Sequence, residues 1–177
     1  MNKKHLSLII AAALLLVMGI SSTVAYLISR SDTLENTFTV GDVSITLNET
    51  TGSTYTMAPG VTLYKDPIVT VKALSESCWL FVKVEKTANF DRFCTYEIQE
   101  GWISLSENEG IYYQKIERST VDKSFSILRN NRVTVKDTLT EEELNAVTDN
   151  PTLKFTAYAV QSEGIATAHE AWQILNQ

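Results

Sequence analysis

Cys78-Trp79-Leu80-Phe81-Val82-Lys83-Val84-Glu85 is the stretch that decides the fold class. In an extended chain successive side chains point to opposite sides. Cys78, Leu80, Val82 and Val84 then share one uniformly apolar face, the pattern of a half-buried strand. Trp79 and Phe81 share the other face with Lys83 and Glu85. Two large aromatics on a nominally solvated face are costly unless something packs on them. Two covers are open: a helix or loop of the same chain, or a neighbouring subunit.

Working outward, the chain continues to read as strands. Downstream, the pattern predicts them at 94–99, 102–105, 111–117, 124–128, 132–135 and 153–161. Upstream, Ile68 to Leu74 follows Pro67 and is rich in β-branched residues. Thr50 to Gly60 is a Thr-, Ser-, Gly- and Pro-rich loop with room for a short strand. Phe38 and Val40 alternate with Thr37 and Thr39. The phase slips by one residue at Gly41-Asp42 and continues through Val43, Ile45 and Leu47, which predicts a β-bulge. Short strands with close turn signals predict an all-β, Ig-like β-sandwich. Two short helices interrupt it. Thr140-Glu141-Glu142-Glu143 and Thr167-Ala168-His169-Glu170 each carry a Thr N-cap with Glu three residues on, a capping box. Leu144 and Val147 face the core behind the first, and Ala171, Trp172 and Leu175 follow the second. Capping explains both acidic clusters, and neither matches an EF-hand loop.

The N-terminus reads differently. Lys3 and Lys4, with His5, form a basic start, and Leu6 to Ile20 is apolar apart from Ser7 and Gly19. Thr23-Val24-Ala25 fits a small-x-small cleavage site. The pattern predicts a signal helix over residues 1–25, cut between Ala25 and Tyr26. The alternative is an uncleaved anchor, because Leu6 to Ser29 is uncharged for 24 residues and about 20 span a bilayer. Lys3 and Lys4 would then stay cytoplasmic. Both readings export the rest: an extended segment over 26–35 and a sandwich domain over 36–177. The membrane is a partner only through the uncleaved signal segment.

Composition narrows the function classes. The chain has 177 residues, a formal net charge of −6, 44% hydrophobic and 20% charged residues. It is too apolar for a disordered chain. Removing the signal takes away two lysines and no acid, leaving −8. That acidity argues against nucleic acid as a partner. Two Cys and two His build no Cys₄ or Cys₂His₂ site. His169-Glu170 is followed by Ala171-Trp172-Gln173, so the second His of a zinc peptidase helix is missing. There is no Gly-x-Ser-x-Gly elbow and no Gly-rich phosphate loop. The residues therefore suggest no catalytic group, metal or cofactor. Asn48-Glu49-Thr50 matches a glycosylation triplet, a pattern common by chance. An exported compartment favours a disulfide, but a hairpin of 78–86 with 93–99 around Ala88 to Asp91 would hold the two sulfurs about 20 Å apart, at about 3.3 Å per residue. Cys78 and Cys94 then serve as small apolar residues.

Several stretches resemble one family. Thr23-Val24-Ala25-Tyr26-Leu27 resembles the region around the cleavage site in exported substrates of the SipW-type signal peptidase. Asn36-Thr37-Phe38-Thr39-Val40-Gly41-Asp42-Val43 is similar to an Asn-x-Phe-x-x-Gly-x-hydrophobic stretch those proteins share. Lys65-Asp66-Pro67-Ile68-Val69-Thr70-Val71 resembles their Lys-Asp-Pro-x-Val-x-Val stretch. Thr156-Ala157-Tyr158-Ala159-Val160-Gln161 and Ala168-His169-Glu170-Ala171-Trp172 resemble their C-terminal ending. The family is that of TasA and camelysin (CalY), which includes biofilm matrix fibre proteins and a surface protein once classed as a metallopeptidase. The resemblance implies a jelly-roll-like sandwich, export from a Gram-positive bacterium, processing by a SipW-type signal peptidase and assembly at the cell surface or in the extracellular matrix.

Three functions stand against one another: a structural fibre subunit, a camelysin-like surface metallopeptidase and a monomeric surface-binding module. For the first, the assembly element is the new N-terminus, Tyr26, Leu27 and Ile28. These apolar, β-favouring residues at a free end can add as a strand to an open sheet edge of the next copy. Such a head-to-tail contact does not close and propagates as a filament. The competing reading makes 26–32 a frayed end or an edge strand of its own domain.

Overall fold

The computed structural model describes residues 36–52, 55–106 and 108–176. Among them the elements follow in the order β1 (Asn36–Val40), β2 (Ile45–Asn48), β3 (Thr62–Tyr64), β4 (Ile68–Val71), β5 (Cys78–Lys86), α1 (Phe90–Phe93), β6 (Cys94–Ile98), β7 (Ile103–Ser104), β8 (Ile111–Ile116), β9 (Lys123–Ser126), β10 (Leu128–Val135), α2 (Glu141–Asn145), β11 (Leu153–Gln161) and α3 (Ala168–Leu175). The expected signal helix, and the extended segment before Asn36, lie outside the described residues.

The strands form an all-β sandwich. Its first layer is a five-stranded sheet in the order β1-β11-β5-β8-β7. The two nine-residue strands β5 and β11 pair antiparallel over their whole length, from Leu153 opposite Lys86 to Gln161 opposite Cys78. The second layer combines two three-stranded ladders, β2-β4-β9 and β3-β10-β6. They share chain runs, because β3 leads into β4 and β9 into β10. Between them the Ile127 amide donates to the Pro67 carbonyl at 3.0 Å, and the Lys65 amide to the Asn131 carbonyl at 2.8 Å. At this seam the β10–β6 register shifts between Leu128 and Val133, and Asn130 and Asn131 adopt φ of 53° and 54°. Asn tolerates that left-handed region better than other side-chain-bearing residues.

The main core lies between the layers. Cys78, Leu80, Val82 and Val84 of β5 and Phe155, Ala157 and Ala159 of β11 meet Ile45, Leu47, Val69, Val71, Val133 and Val135 of the other layer. The alternation read from β5 is thus the pleat of a sheet with its apolar face inward. A second cluster lies on the outer face of the first layer. There α3 lays Ala168, Ala171 and Trp172 over Trp79, Phe81, Ile111 and Val160. Phe81 is fully buried and Trp79 nearly so. The cover expected over these aromatics is therefore a helix of the same chain. Both capping boxes form: Glu143 N–H donates to Thr140 Oγ1 and Glu170 N–H to Thr167 Oγ1, each at 3.2 Å.

Three expectations are corrected. Gly41-Asp42 is not a bulge within one strand. The chain leaves the first layer after β1 and enters the second at β2. Gly41 (φ 89°) is required at this corner, because a Cβ there would sit 2.6 Å from the Gln161 side chain. Residues 78–86 and 93–99 do not form a hairpin. Strand β5 pairs with β11 and β8, whereas β6 pairs with β10 in the opposite layer. The crossing is made by α1, a third short helix that sequence reading passed over; its Phe90 and Phe93 are buried in the main core. The hairpin argument about the two sulfurs therefore falls. Cys78 and Cys94 are nevertheless free and buried in the main core, as small apolar residues are.

Candidate functional site

Thr23, Ala25 and Tyr26, the residues of the expected cleavage site, and Tyr26, Leu27 and Ile28, the expected assembly element, all lie outside the described residues. The described chain begins at β1, which forms an edge of the first layer and runs parallel to β11, from Asn36 opposite Thr156 to Val40 opposite Val160. A parallel pair bonds slightly less well per residue than an antiparallel one. The far side of β1 bonds no other described strand. Thr39 and Val40 are exposed. At the opposite edge, β7 is only two residues long. Among the described strands, the β1 edge is thus the longer one in this layer without a second partner.

Among the described residues no three His, Cys, Asp or Glu side chains converge in a manner suited to a metal ion. His169 is exposed in the first turn of α3, its Nε2 2.9 Å from Gln173 Nε2. No helix among the described residues is long and apolar enough to cross a membrane.

The densest polar constellation is one that sequence reading missed as a site. It joins the loop after β2 to the turn between β3 and β4. Lys65 and Glu49 are both buried, with side chains 5% and 4% exposed, and Lys65 Nζ donates to both carboxylate oxygens of Glu49 at 2.7 and 2.8 Å. Tyr55 Oη lies 2.8 Å from Glu49 Oε1, 2.7 Å from the Gly52 carbonyl and 3.0 Å from Thr51 Oγ1. Thr51 Oγ1 lies 3.2 Å from Glu49 Oε1 and 2.9 Å from Asp66 Oδ1. Each hydroxyl has a single proton, so these contacts are alternatives that share donors. Burial pushes the Tyr55 phenol above its ordinary pKa; the Thr51 hydrogen bond opposes this and Glu49 adds to it.

Asp66 is buried and closes the other half of the network. It accepts the Thr50 amide at 2.9 Å, the Thr50 hydroxyl at 2.5 Å and the Thr51 amide at 3.1 Å. Burial opposes its ionisation, but the hydroxyls and amides of Thr50 and Thr51 outweigh burial and hold its carboxyl below the ordinary range. The Lys65 ammonium also faces the rings of Tyr55 and Phe155, at 5.4 and 5.7 Å from their centroids. Lys65-Asp66-Pro67 thus acts as a buried anchor for the loop from Glu49 to Tyr55. The signal for it was two charged residues set directly against Pro67 and an apolar strand. Their partners in the Glu49-to-Tyr55 loop could not be read from spacing.

Beside this network a narrow apolar cavity of about 40 Å³ is lined by Tyr55, Lys65, Met57, Cys94, Leu153 and their neighbours. Cys94 Sγ sits 3.9 Å from Met57 Sδ.

Compared with protein-family models, curated proteins and solved structures, the chain matches none.

Proposed function

We propose that this chain is an exported structural protein of the bacterial cell surface or biofilm matrix, of the TasA/camelysin (CalY) type, whose sandwich is jelly-roll-like and which acts by self-assembly rather than catalysis. A SipW-type signal peptidase removes residues 1–25. The freed segment led by Tyr26, Leu27 and Ile28 then adds as a strand to an open sheet edge of the next copy, and repetition yields a fibre. Before cleavage the same segment is held at the membrane, so processing licenses assembly outside the cell.

The observation that carries this reading is the position of β1. It follows segment 26–35 in sequence, it is an edge strand among the described strands, and its outer side pairs with none of them. Two experiments test it. N-terminal sequencing and intact mass of exported protein should show a chain beginning at Tyr26; a full-length, membrane-fractionating product supports the anchor instead. Electron microscopy over time should show fibres from the mature protein, and deletion of Tyr26 to Ser31 should abolish or greatly slow them. A folded deletion variant that assembles at the original rate rejects the strand-addition mechanism. A mature protein that stays monomeric favours a surface-binding module.

A further inference from the structure

We propose that Lys65 and Glu49 are the partners of an intramolecular amide cross-link between Lys65 Nζ and Glu49 Cδ. This is independent of the fibre reading. The ammonium touches both oxygens of one carboxylate, at 2.7 and 2.8 Å. Such contacts put nitrogen and carbon within the near-attack range of about 3–3.5 Å. Small torsional shifts along the flexible four-carbon stem of Lys65 bring the nitrogen out of the carboxylate plane and over the face of Cδ.

The surroundings favour condensation over hydrolysis. Both side chains are buried, and Tyr55 and Phe155 wall the nitrogen. An ion pair held away from water carries a larger desolvation cost than a neutral amide does. The reaction begins when the ammonium passes one proton to Oε2, giving a neutral amine beside a carboxylic acid. The amine then attacks Cδ, and the carbonyl electron pair moves onto Oε1. That oxygen has Tyr55 Oη at 2.8 Å and Thr51 Oγ1 at 3.2 Å, donors suited to a developing oxyanion. A second ammonium proton moves to Oε2, the Cδ–Oε2 bond breaks and water leaves. The ammonium and the carboxylate become one amide and one water, with no oxidant or co-reactant. The adjoining cavity of about 40 Å³, which Lys65 and Tyr55 help to line, exceeds the roughly 10–15 Å³ that one water needs. The cross-link would fasten the loop that begins at Glu49 to the turn before Pro67, in a domain with no disulfide among its described residues.

The test is the intact mass of the purified, folded protein, followed by tandem mass spectrometry of its digest. The expected result is a deficit of about 18 Da, one water, against the mass of the sequence. The deficit should localise to a branched peptide joining Glu49 to Lys65, and Lys65→Arg should remove it. Lys65 in the unfolded wild type should also resist an amine-acylating reagent. A folded wild-type protein of full mass after prolonged incubation, full acylation of Lys65, or a water loss that localises elsewhere each overturns the proposal. The wild-type measurement decides the matter even if Lys65→Arg does not fold.

Discussion

The rings of Phe81 and Trp172 meet with centroids 5.2 Å apart, at 49° between their planes. Phe81 is on the central strand β5 and Trp172 on the C-terminal helix α3, so this contact joins the end of the chain to the middle of the first layer. Tyr158 on β11 adds an edge contact to Trp172, at 5.3 Å and 88°. Trp79 Nε1 donates to the Ile165 carbonyl at 3.3 Å, just ahead of the helix. Helix and sheet thus share a packed apolar seam. Trp172→Ala should lower unfolding stability by about 3–5 kcal/mol, read from urea or guanidinium midpoints. In the same variant Trp79 should become open to a small quencher, from which α3 shields it in the wild type. A loss below about 1 kcal/mol, in the range of a surface substitution, would show that the helix is not a packed part of the domain.

Acid sensitivity should trace in part to Asp66. Its folded-state pKa is depressed, because the hydrogen bonds of Thr50 and Thr51 outweigh burial. A depressed carboxyl contributes stability that is complete above its unfolded value, about 3.9, and is lost as pH falls through the folded value. Asp66→Asn should therefore flatten the acid limb of the stability profile below about pH 4. At neutral pH it should cost about 1–3 kcal/mol, because charge-assisted bonds are lost. Denaturant midpoints across the acid range check both effects; an unchanged acid limb would remove Asp66 from the account.

Leu74 has φ of 67° and is 63% exposed. A branched side chain in the left-handed region costs about 1–2 kcal/mol, and exposure leaves little packing to offset it. Its amide still donates to the Ser119 carbonyl at 2.8 Å, a bond that substitution keeps. Leu74→Gly should raise stability by up to about 1 kcal/mol, reduced by the extra freedom of Gly in the unfolded chain. Leu74→Asn should act in the same direction. A destabilised Leu74→Asn variant would show that the leucine side chain makes contacts that outweigh the strain.

The two thiols should be unreactive in the folded protein. Burial pushes Cys78 and Cys94 up to about 11, with Lys123 and Lys136 pulling weakly the other way. The thiolate is the reactive form. An alkylating reagent at about pH 8, below both values, should label neither site until the chain unfolds, and then both. Labelling of either site under native conditions would place it in a segment that opens locally.

Much of the architecture was written locally. The alternation from Cys78 to Glu85 determined a strand with one face in the main core. The Thr140/Glu143 and Thr167/Glu170 pairs determined two helix starts, because a capping box needs only residues three apart. Local pattern also required a cover over Trp79 and Phe81. It did not choose α3 as that cover. Nor could it show which strand pairs with which, since backbone ladders carry no side-chain label. Nearness in sequence suggested that 78–86 and 93–99 form a hairpin, but burial of Phe90 and Phe93 sends the chain into the opposite layer. Likewise Gly41 looked like a bulge and is a corner between layers, a difference set by the approach of Gln161, 120 residues away. The network of Glu49, Thr51, Tyr55, Lys65 and Asp66 exists only because the sandwich folds one loop against a turn and buries the side chains of Glu49, Lys65 and Asp66. Sequence alone determined the periodicities and caps. The tertiary structure decided the pairings, and with them which charges meet in the dark, because burial and long-range contact depend on the whole packed chain.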